Sequence, residues 1–308
     1  MPPIEVPAAL LGRAAWGPRW AAWLESLPRT IVELVDEWDL TQDGPPTHGH
    51  CSLVVPVRTT GGRPAVLKVA LPDDESEHEH LALQHWHGKG AVLLLRADPR
   101  RRAMLLERLH PEDLGQLGDV EACEVVAGLY GRLHVPALPQ LRPLTSYVAR
   151  WTAGLESLPR DAPVPRRLVE QAVSLARQFL ADPESTGSTI HADLHYENVL
   201  AGDREPWLAI DPKPVSGDPH YEVAPLLWNR WGSLLASGGV RDALRRRFHT
   251  VVDTAGLDED RARDWVVVRV LHNITWLVED AHTQARGLSG EDRDAITRMV
   301  TIAKAVQG

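Results

Sequence analysis

From residue 16 to residue 38 the apolar side chains of Trp20, Trp23, Leu24, Leu27, Ile31, Leu34 and Val35 return at the three- and four-residue steps of a helix face, and Pro28 predicts a break inside the run. The period shortens after Gly44-Pro45-Pro46. Residues 52–57 and 65–70 are brief runs rich in β-branched side chains, joined across Gly61-Gly62, which predicts a β-hairpin. Helical spacing comes back over 75–87 through Leu81, Leu83 and Trp86. Residues 91–95 and 103–106 then predict two more strands around a turn at Asp98-Pro99. Beyond Pro111 strands become scarce. Residues 121–134 carry Val125, Val126, Leu129 and Leu133 on one face, and further helices are predicted over 166–180, 242–254, 261–280 and 291–306. A short β-rich stretch, 190–210, interrupts them.

The fold class this implies is α+β: a small antiparallel-sheet lobe with leading helices over 1–106, a hinge at 107–111, and a larger, mostly helical lobe over 112–308. A length of 308 residues suits that division. The formal charge of −9 makes a poor non-specific ligand for nucleic acid and a fair receptor for small cations. No run reaches the ~18 apolar residues of a membrane span, and the first 25 residues lack a basic start followed by an apolar core. Two cysteines, Cys51 and Cys123, make no disulfide framework, so the expected location is the reducing cytoplasm. The oligomeric state is not written in the sequence; a monomer is the default. Among 33 basic residues only Lys68, Lys89, Lys213 and Lys304 are lysine, so each invites a reason.

The densest chemistry lies in His191-Ala-Asp193-Leu-His195-Tyr-Glu-Asn198, followed after the apolar run Trp207-Leu-Ala-Ile210 by Asp211-Pro212. Phosphoryl transfer from a nucleotide needs a carboxylate to receive the proton of the attacking hydroxyl, and hard oxygen ligands for Mg²⁺. Asp193 is the candidate base, and Asn198 and Asp211 are the candidate metal ligands. The pattern is the H-x-D-x-x-x-x-N catalytic loop of the protein-kinase-like fold, followed by its second aspartate. Singly, each residue has an ordinary structural reading: Asp193 as a helix cap, Asn198 in a turn, Asp211 opening a turn before Pro212. A second competitor takes His191, Asp193 and His195 as a metal cluster of a hydrolase, which leaves Asn198, Asp211 and Lys68 without roles.

Ala65-Val-Leu-Lys68-Val69 sets a lysine among apolar neighbours on a predicted strand, as in the V-A-I-K segment that contacts nucleotide phosphates and pairs with a helical glutamate. An edge-strand lysine that blocks aggregation is the competing reading. Glu79 is the chosen partner, with Glu75 and Glu77 close by. The histidines His78, His80, His85 and His87 read as a solvated helix face. Gly49 and Ser52 are candidates for phosphate contact, although no full G-x-G-x-x-G is present. Glu107 and Leu109, in Met104-Leu-Leu-Glu-Arg-Leu109, are adenine-site candidates.

On these segments, with Trp23-Leu-Glu-Ser-Leu-Pro28, Trp86-His-Gly-Lys-Gly-Ala-Val92, Trp207-Leu-Ala-Ile-Asp-Pro212 and Gly217-Asp-Pro219, the chain resembles the aminoglycoside phosphotransferase family. The branch is the one holding streptomycin 6-phosphotransferase and hydroxyurea phosphotransferase, and the resemblance runs from about residue 12 to residue 280. It implies a bilobal protein-kinase-like fold, ATP and Mg²⁺ as cofactors, and an alcohol group as phosphoryl acceptor. His195 and Tyr196-Glu197 are typical of small-molecule kinases, and no A-P-E segment follows Asp211.

The acceptor side is read from the helical half. On a helix over 261–280, Asn273, Trp276 and Asp280 share a face with Glu279 beside it. Carboxylates next to an aromatic ring suit a guanidinium or ammonium; a packing tryptophan with solvated acids is the even alternative. Asp218 and Glu222 either hold the catalytic loop or line the acceptor site. The expected activity is transfer of the ATP γ-phosphate to a small cationic hydroxylated substrate such as streptomycin. Hydroxyurea, another hydroxylated metabolite, and a catalytically idle nucleotide-binding protein are the alternatives.

Overall fold

The first apolar run folds as one unbroken helix, α1 (Pro18–Glu37), in the computed structural model, which describes residues 5–284 and 286–308. The break expected at Pro28 does not occur. A proline inside a helix costs ~3 kcal/mol. Here Trp23, Leu24 and Leu27 before it and Ile31, Leu34 and Val35 after it are buried in a single core, and each such burial is worth about 1.5–3 kcal/mol. Packing on both sides of the proline outweighs the lost hydrogen bond.

That core is the inner face of an antiparallel sheet. β1 (Ser52–Arg58) and β2 (Pro64–Ala70) form the expected hairpin, with Val54 opposite Lys68. α2 (Glu79–Trp86) follows, then β3 (Leu94–Asp98) and β4 (Ala103–Glu107). β4 pairs with the other side of β2, placing Met104 opposite Lys68, and β3 lies outside β4. The two-residue strands Thr41–Gln42 and Thr47–His48 pair with β1. β2 is thus an interior strand, and the edge-strand reading of Lys68 falls.

Two boundaries differ from expectation. α2 begins at Glu79, not residue 75, because Asp73 and Ser76 close a turn: Ser76 N–H donates to Asp73 Oδ1 at 2.6 Å, and Ser76 Oγ donates to Leu71 O at 3.1 Å. The third strand starts at Leu94, not residue 91, because the preceding backbone is already paired elsewhere. Val92 N–H donates to Ala209 O and Ala209 N–H to Gly90 O, both at 2.9 Å.

The chain divides into two compact units: one running up to Pro111 and including Ala201–Lys213, the other comprising Glu112–Leu200 and Pro214–Gly308. Return of Ala201–Lys213 to the first unit, through the 90–92 pairing, is invisible in the hydropathy pattern.

The second unit is helical. Its longer helices are α3 (Asp119–Leu133), α4 (Leu144–Ser157), α5 (Arg166–Ala181), α6 (Val240–Ala255), α7 (Glu259–Thr283) and α8 (Gly290–Val306). α4 is not among the predicted helices, although its buried residues Leu144, Val148, Thr152 and Leu155 keep helical steps. α7 is the core of this unit: Trp265 is fully buried and stacks on Phe179 at 3.8 Å between ring centroids. β5 (Ser188–Ile190) pairs with β6 (Val215–Gly217) and with Val135–Pro136, a small sheet at the entry to the 191–198 loop. No helix among the described residues is long and apolar enough to cross a membrane.

Candidate active site

In the first unit three of the singled-out residues meet. Lys68, 6% exposed, donates from Nζ to Glu79 Oε1 at 2.5 Å and to Asp211 Oδ1 at 2.5 Å. Glu79 stands in the first turn of α2 and is buried, which selects it over its neighbours; Glu77 instead faces Arg102 at 3.9 Å. Lys213 Nζ donates to the other Asp211 oxygen at 3.0 Å. Burial opposes charge on Asp211, but the ammonium groups of Lys68 and Lys213 outweigh it and hold the carboxyl well below the usual range. Burial likewise opposes charge on Lys68, and Asp211 and Glu79 reverse it, so its pKa is raised. Asp211 has φ +55°, in the left-handed region that aspartate tolerates better than most residues. That twist turns an ionised carboxylate, still about a third exposed (34%), away just beyond the short strand Trp207–Ala209.

The other candidates of this unit are more fully engaged. Gly49 N–H closes the turn onto Ser52 O at 3.0 Å, and the Ser52 side chain is buried. Glu107 accepts Leu93 N–H at 2.8 Å and Arg204 Nη2–H at 2.7 Å, so its carboxylate is committed to the fold. Leu109 lies against Gly202, where a Cβ would come within 3.2 Å of its side chain.

In the second unit the loop after β5 is fixed at Ala192, whose φ is +62°. A non-glycine residue there costs about 1–3 kcal/mol and persists only where neighbours hold it. Both of its backbone groups are held: the N–H by Glu222 Oε1 and the C=O by Arg269. Glu222 is fully buried, and His134 Nε2 lies 2.9 Å from its second oxygen. Arg269 also donates to Tyr221 O at 2.9 Å while its guanidinium lies 4.1 Å from the Tyr221 ring centroid. His191, fully buried, accepts the Asp193 N–H on Nδ1 at 3.3 Å, a loop-setting bond. Asn198 Nδ2–H donates to Asp193 O at 2.8 Å. His195 lies beside both, its Nε2 3.2 Å from Asn198 Nδ2 and 3.9 Å from Asp193 Oδ1. Asp193, His195 and Asn198 are therefore gathered on one small loop. Among the described residues no group of three His, Cys, Asp or Glu side chains forms a ligand set of the kind the hydrolase reading requires.

Asp218 and Glu222 are both buried. Asp218 accepts Trp265 Nε1–H and Arg261 Nε–H, each at 2.6 Å, and faces His220. Neither carboxylate reaches an open surface. On α7, Trp276 is 54% exposed and Glu279 is exposed beside it, while Asn273 is half-buried. Asp280 is already bonded to Arg286 at 3.0 Å and to Gln284 at 2.9 Å. Gly154 of α4 meets this face so closely that a Cβ there would sit 2.5 Å from Glu279 Oε1.

Two residues escaped the sequence reading. Arg269 stands alone in the apolar run Val266-Val-Val-Arg-Val-Leu271, and a lone charge in such a run was the available signal. Arg247, also buried, donates to Asp119 at 2.8 Å and lies 5.2 Å from the Tyr196 ring centroid, under the 195–198 turn; nothing in its amphipathic helix marked it.

Burial raises the Glu222 carboxyl, but hydrogen bonding and charge from His134, with the Ala192 N–H, outweigh it, so its pKa lies below the ordinary value. A depressed carboxylate stabilises the fold above its unfolded pKa of about 4.3 and loses that contribution as pH falls through the folded value. Glu222→Gln is expected to cost roughly 2 kcal/mol near pH 7. The gap to the natural chain narrows below about pH 4 in urea titrations followed by circular dichroism.

Comparison with known proteins agrees with this chemistry. Residues 37–281 match the family model described as aminoglycoside/hydroxyurea antibiotic resistance kinase. The chain is 40% identical to a streptomycin 6-kinase of Streptomyces glaucescens over 315 residues, covering 99% of this chain and 98% of that one. It is 39% identical to a hydroxyurea phosphotransferase of Kitasatospora aureofaciens, over 90% of this chain and 81% of that protein. Among solved structures, aminoglycoside phosphotransferase APH(4)-Ia in complex with ADP and hygromycin B superposes with a TM-score of 0.58. At 18% identity over 92% of this chain and 99% of that one, that likeness shows the fold, which is protein-kinase-like. The chain belongs to the aminoglycoside/hydroxyurea antibiotic resistance kinase family.

Proposed function

We propose that this chain transfers the γ-phosphoryl group of ATP to a hydroxyl of a streptomycin-like aminocyclitol, inactivating the antibiotic in the cytoplasm. The observation that carries the reading is the buried Lys68 ammonium bonded to both Glu79 and Asp211, a preset cation for nucleotide phosphates. The acceptor class is supported by 40% identity to a streptomycin 6-kinase over nearly the whole chain.

Asp193 orients the acceptor hydroxyl and takes its proton. Asp211 and Asn198 each suit Mg²⁺. Asp211 is ionised and partly exposed, and Asn198 spends its Nδ2 on Asp193 O, leaving Oδ1, which has no partner among the described residues. The metal, when bound, neutralises charge on the transferring phosphoryl group. Lys68 steadies the phosphates, the 49–52 turn covers them, and the backbone at Glu107 and Leu109 meets the adenine edge. Glu222 holds the loop through Ala192, Asp218 ties Trp265 and Arg261 together, and neither touches the acceptor. Positioning and charge neutralisation supply the rate, with no covalent enzyme intermediate.

His195, Asn273, Trp276 and Glu279 are assigned to the acceptor, with Asp280 joining them if Arg286 gives way to a cationic ligand. Trp276→Ala is expected to raise KM for a guanidinium-bearing acceptor by about tenfold, the value of one cation–π contact, with kcat changed little. Mass spectrometry of streptomycin, other aminoglycosides and hydroxyurea incubated with the enzyme and ATP tests the assignment. Phosphorylated streptomycin supports it. Phosphorylated hydroxyurea alone favours the second reading, which the Kitasatospora aureofaciens relative brings forward. Nucleotide binding without any product would indicate an idle member of the fold.

A further inference from the structure

The turn between Thr47–His48 and β1 is gripped from outside the sheet. Arg13, in the 3₁₀ segment Gly12–Trp16 that precedes α1, donates from Nη1 to Gly49 O at 3.1 Å and also to His50 O. Its guanidinium lies 5.2 Å from the Trp16 ring centroid and 5.9 Å from that of Trp20, and the Trp16 ring lies 5.6 Å from the His50 ring. Two aromatic faces and two carbonyls thus fix one cation.

The consequence lies on the other side of the peptides. All peptide bonds of the described residues are trans, so each N–H points opposite the C=O to which it is joined. With Gly49 O and His50 O both drawn to Arg13, the N–H groups of His50 and Cys51 are turned away from it. Neither has a partner among the described residues. A bond from Leu71 N–H to Cys51 O at 2.7 Å anchors the far end of the turn to the sheet beside β2, the strand that carries Lys68. Lys213 and Asp211 lie near enough to act on both side chains of the turn. Burial, then Arg13 and Lys213, lowers the His50 pKa; burial, foremost, lifts the Cys51 thiol to about 11 and leaves it no nucleophile. Successive N–H groups held in this way make an anion-binding concavity.

We propose that Arg13 is a positioning residue for nucleotide: by holding the carbonyls of Gly49 and His50 it presents the His50 and Cys51 N–H groups to the terminal phosphates of ATP. The inference rests on the kinase reading above and adds to it a segment upstream of the 37–281 family match. Arg13 touches no substrate itself. Its loss frees the turn, and affinity falls for phosphates but not for the nucleoside.

Competition against a fluorescent ATP analogue, with the non-hydrolysable β,γ-imido ATP and with adenosine as separate competitors, tests this. Arg13→Ala is expected to weaken the imido-ATP about tenfold and adenosine less than twofold. Arg13→Lys, which keeps the charge without the fork, falls between. Arg19→Ala, removing the neighbouring exposed arginine, leaves both affinities unchanged, and melting by circular dichroism checks that each variant is folded. Equal weakening of both ligands by Arg13→Ala, or no weakening of either, overturns the role of Arg13 while leaving the kinase reading intact. Failure of the natural chain to bind the imido-ATP at all would overturn both.

Discussion

Asp193→Asn is expected to lower kcat by roughly 10³-fold, within the 10²–10⁴ that a positioned general base supplies, while the affinity for ATP changes less than threefold. The substitution keeps the shape of the side chain but removes its negative charge and, with it, the capacity to take a proton. It leaves the loop itself standing, because what fixes the loop is elsewhere. Ala192 is held through Glu222 and Arg269, and Asn198 bonds to the Asp193 backbone carbonyl, not to its carboxylate. The measurement is steady-state ADP release beside equilibrium nucleotide binding, with circular dichroism to confirm an unchanged fold. A fall in kcat accompanied by an equal fall in stability would mean that Asp193 is a structural residue of the turn.

Lys68→Ala is the second large effect, and it acts on stability and nucleotide binding together. Removing the ammonium leaves Glu79, buried, and Asp211 facing a lost partner that was 2.5 Å from each. Breaking a buried ion pair by deleting one member costs about 3–5 kcal/mol. Lys213 still meets Asp211 at 3.0 Å, which places the expected loss toward the lower end. The pH dependence has two edges. Asp211 is depressed, so its share of stability is present above the unfolded carboxylate value of about 3.9 and disappears as pH falls through the folded pKa. Lys68 is raised, so its share is present below the unfolded lysine value of about 10.4 and is lost as pH rises beyond it. Burial, despite Lys68, raises the Glu79 carboxyl, so it takes up a proton at a higher pH than an ordinary glutamate. The difference between natural chain and variant in urea unfolding is therefore expected to shrink on the acid side as first Glu79 and then Asp211 protonate, and to fall again above about pH 10. The double variant Lys68→Met with Glu79→Gln removes the charge and one orphaned partner, and is expected to regain part of the stability and none of the ATP binding.

Much of this site can be read from the chain because its chemistry is local in sequence. His191 to Asn198 span a single loop, so residue types and spacing carry the geometry, and Ala65 to Val69 mark a lysine on a strand through its apolar neighbours. Choosing Glu79 over Glu75 and Glu77 needed the start of α2, which the Asp73–Ser76 turn sets and periodicity alone cannot. The pairing of Lys68 with Asp211 spans 143 positions and depends on residues 201–213 returning to the sheet unit. No hydropathy pattern contains that return. The positive φ of Ala192 and of Asp211 is also unreadable, since neither position is glycine and the strain is held by distant partners. Pro28 and α4 depart from expectation for one reason: tertiary burial overrules local propensity at both. On α7, helical spacing puts Asn273, Trp276 and Asp280 on one face with Glu279 beside it, but it cannot show that Asp280 is engaged by Arg286, which lies beyond the end of the helix.

Under the proposed function Lys68 and Asp193 are each required to move a phosphoryl group from ATP to an antibiotic hydroxyl. The most direct test of that function is streptomycin-dependent ADP release with Mg²⁺ and ATP, measured for the natural chain and for Asp193→Asn at equal enzyme concentration. Release is expected to require streptomycin, to saturate with it and to fall about 10³-fold in the variant. Release that ignores the acceptor, or that survives the loss of Asp193 unchanged, would contradict the proposed function.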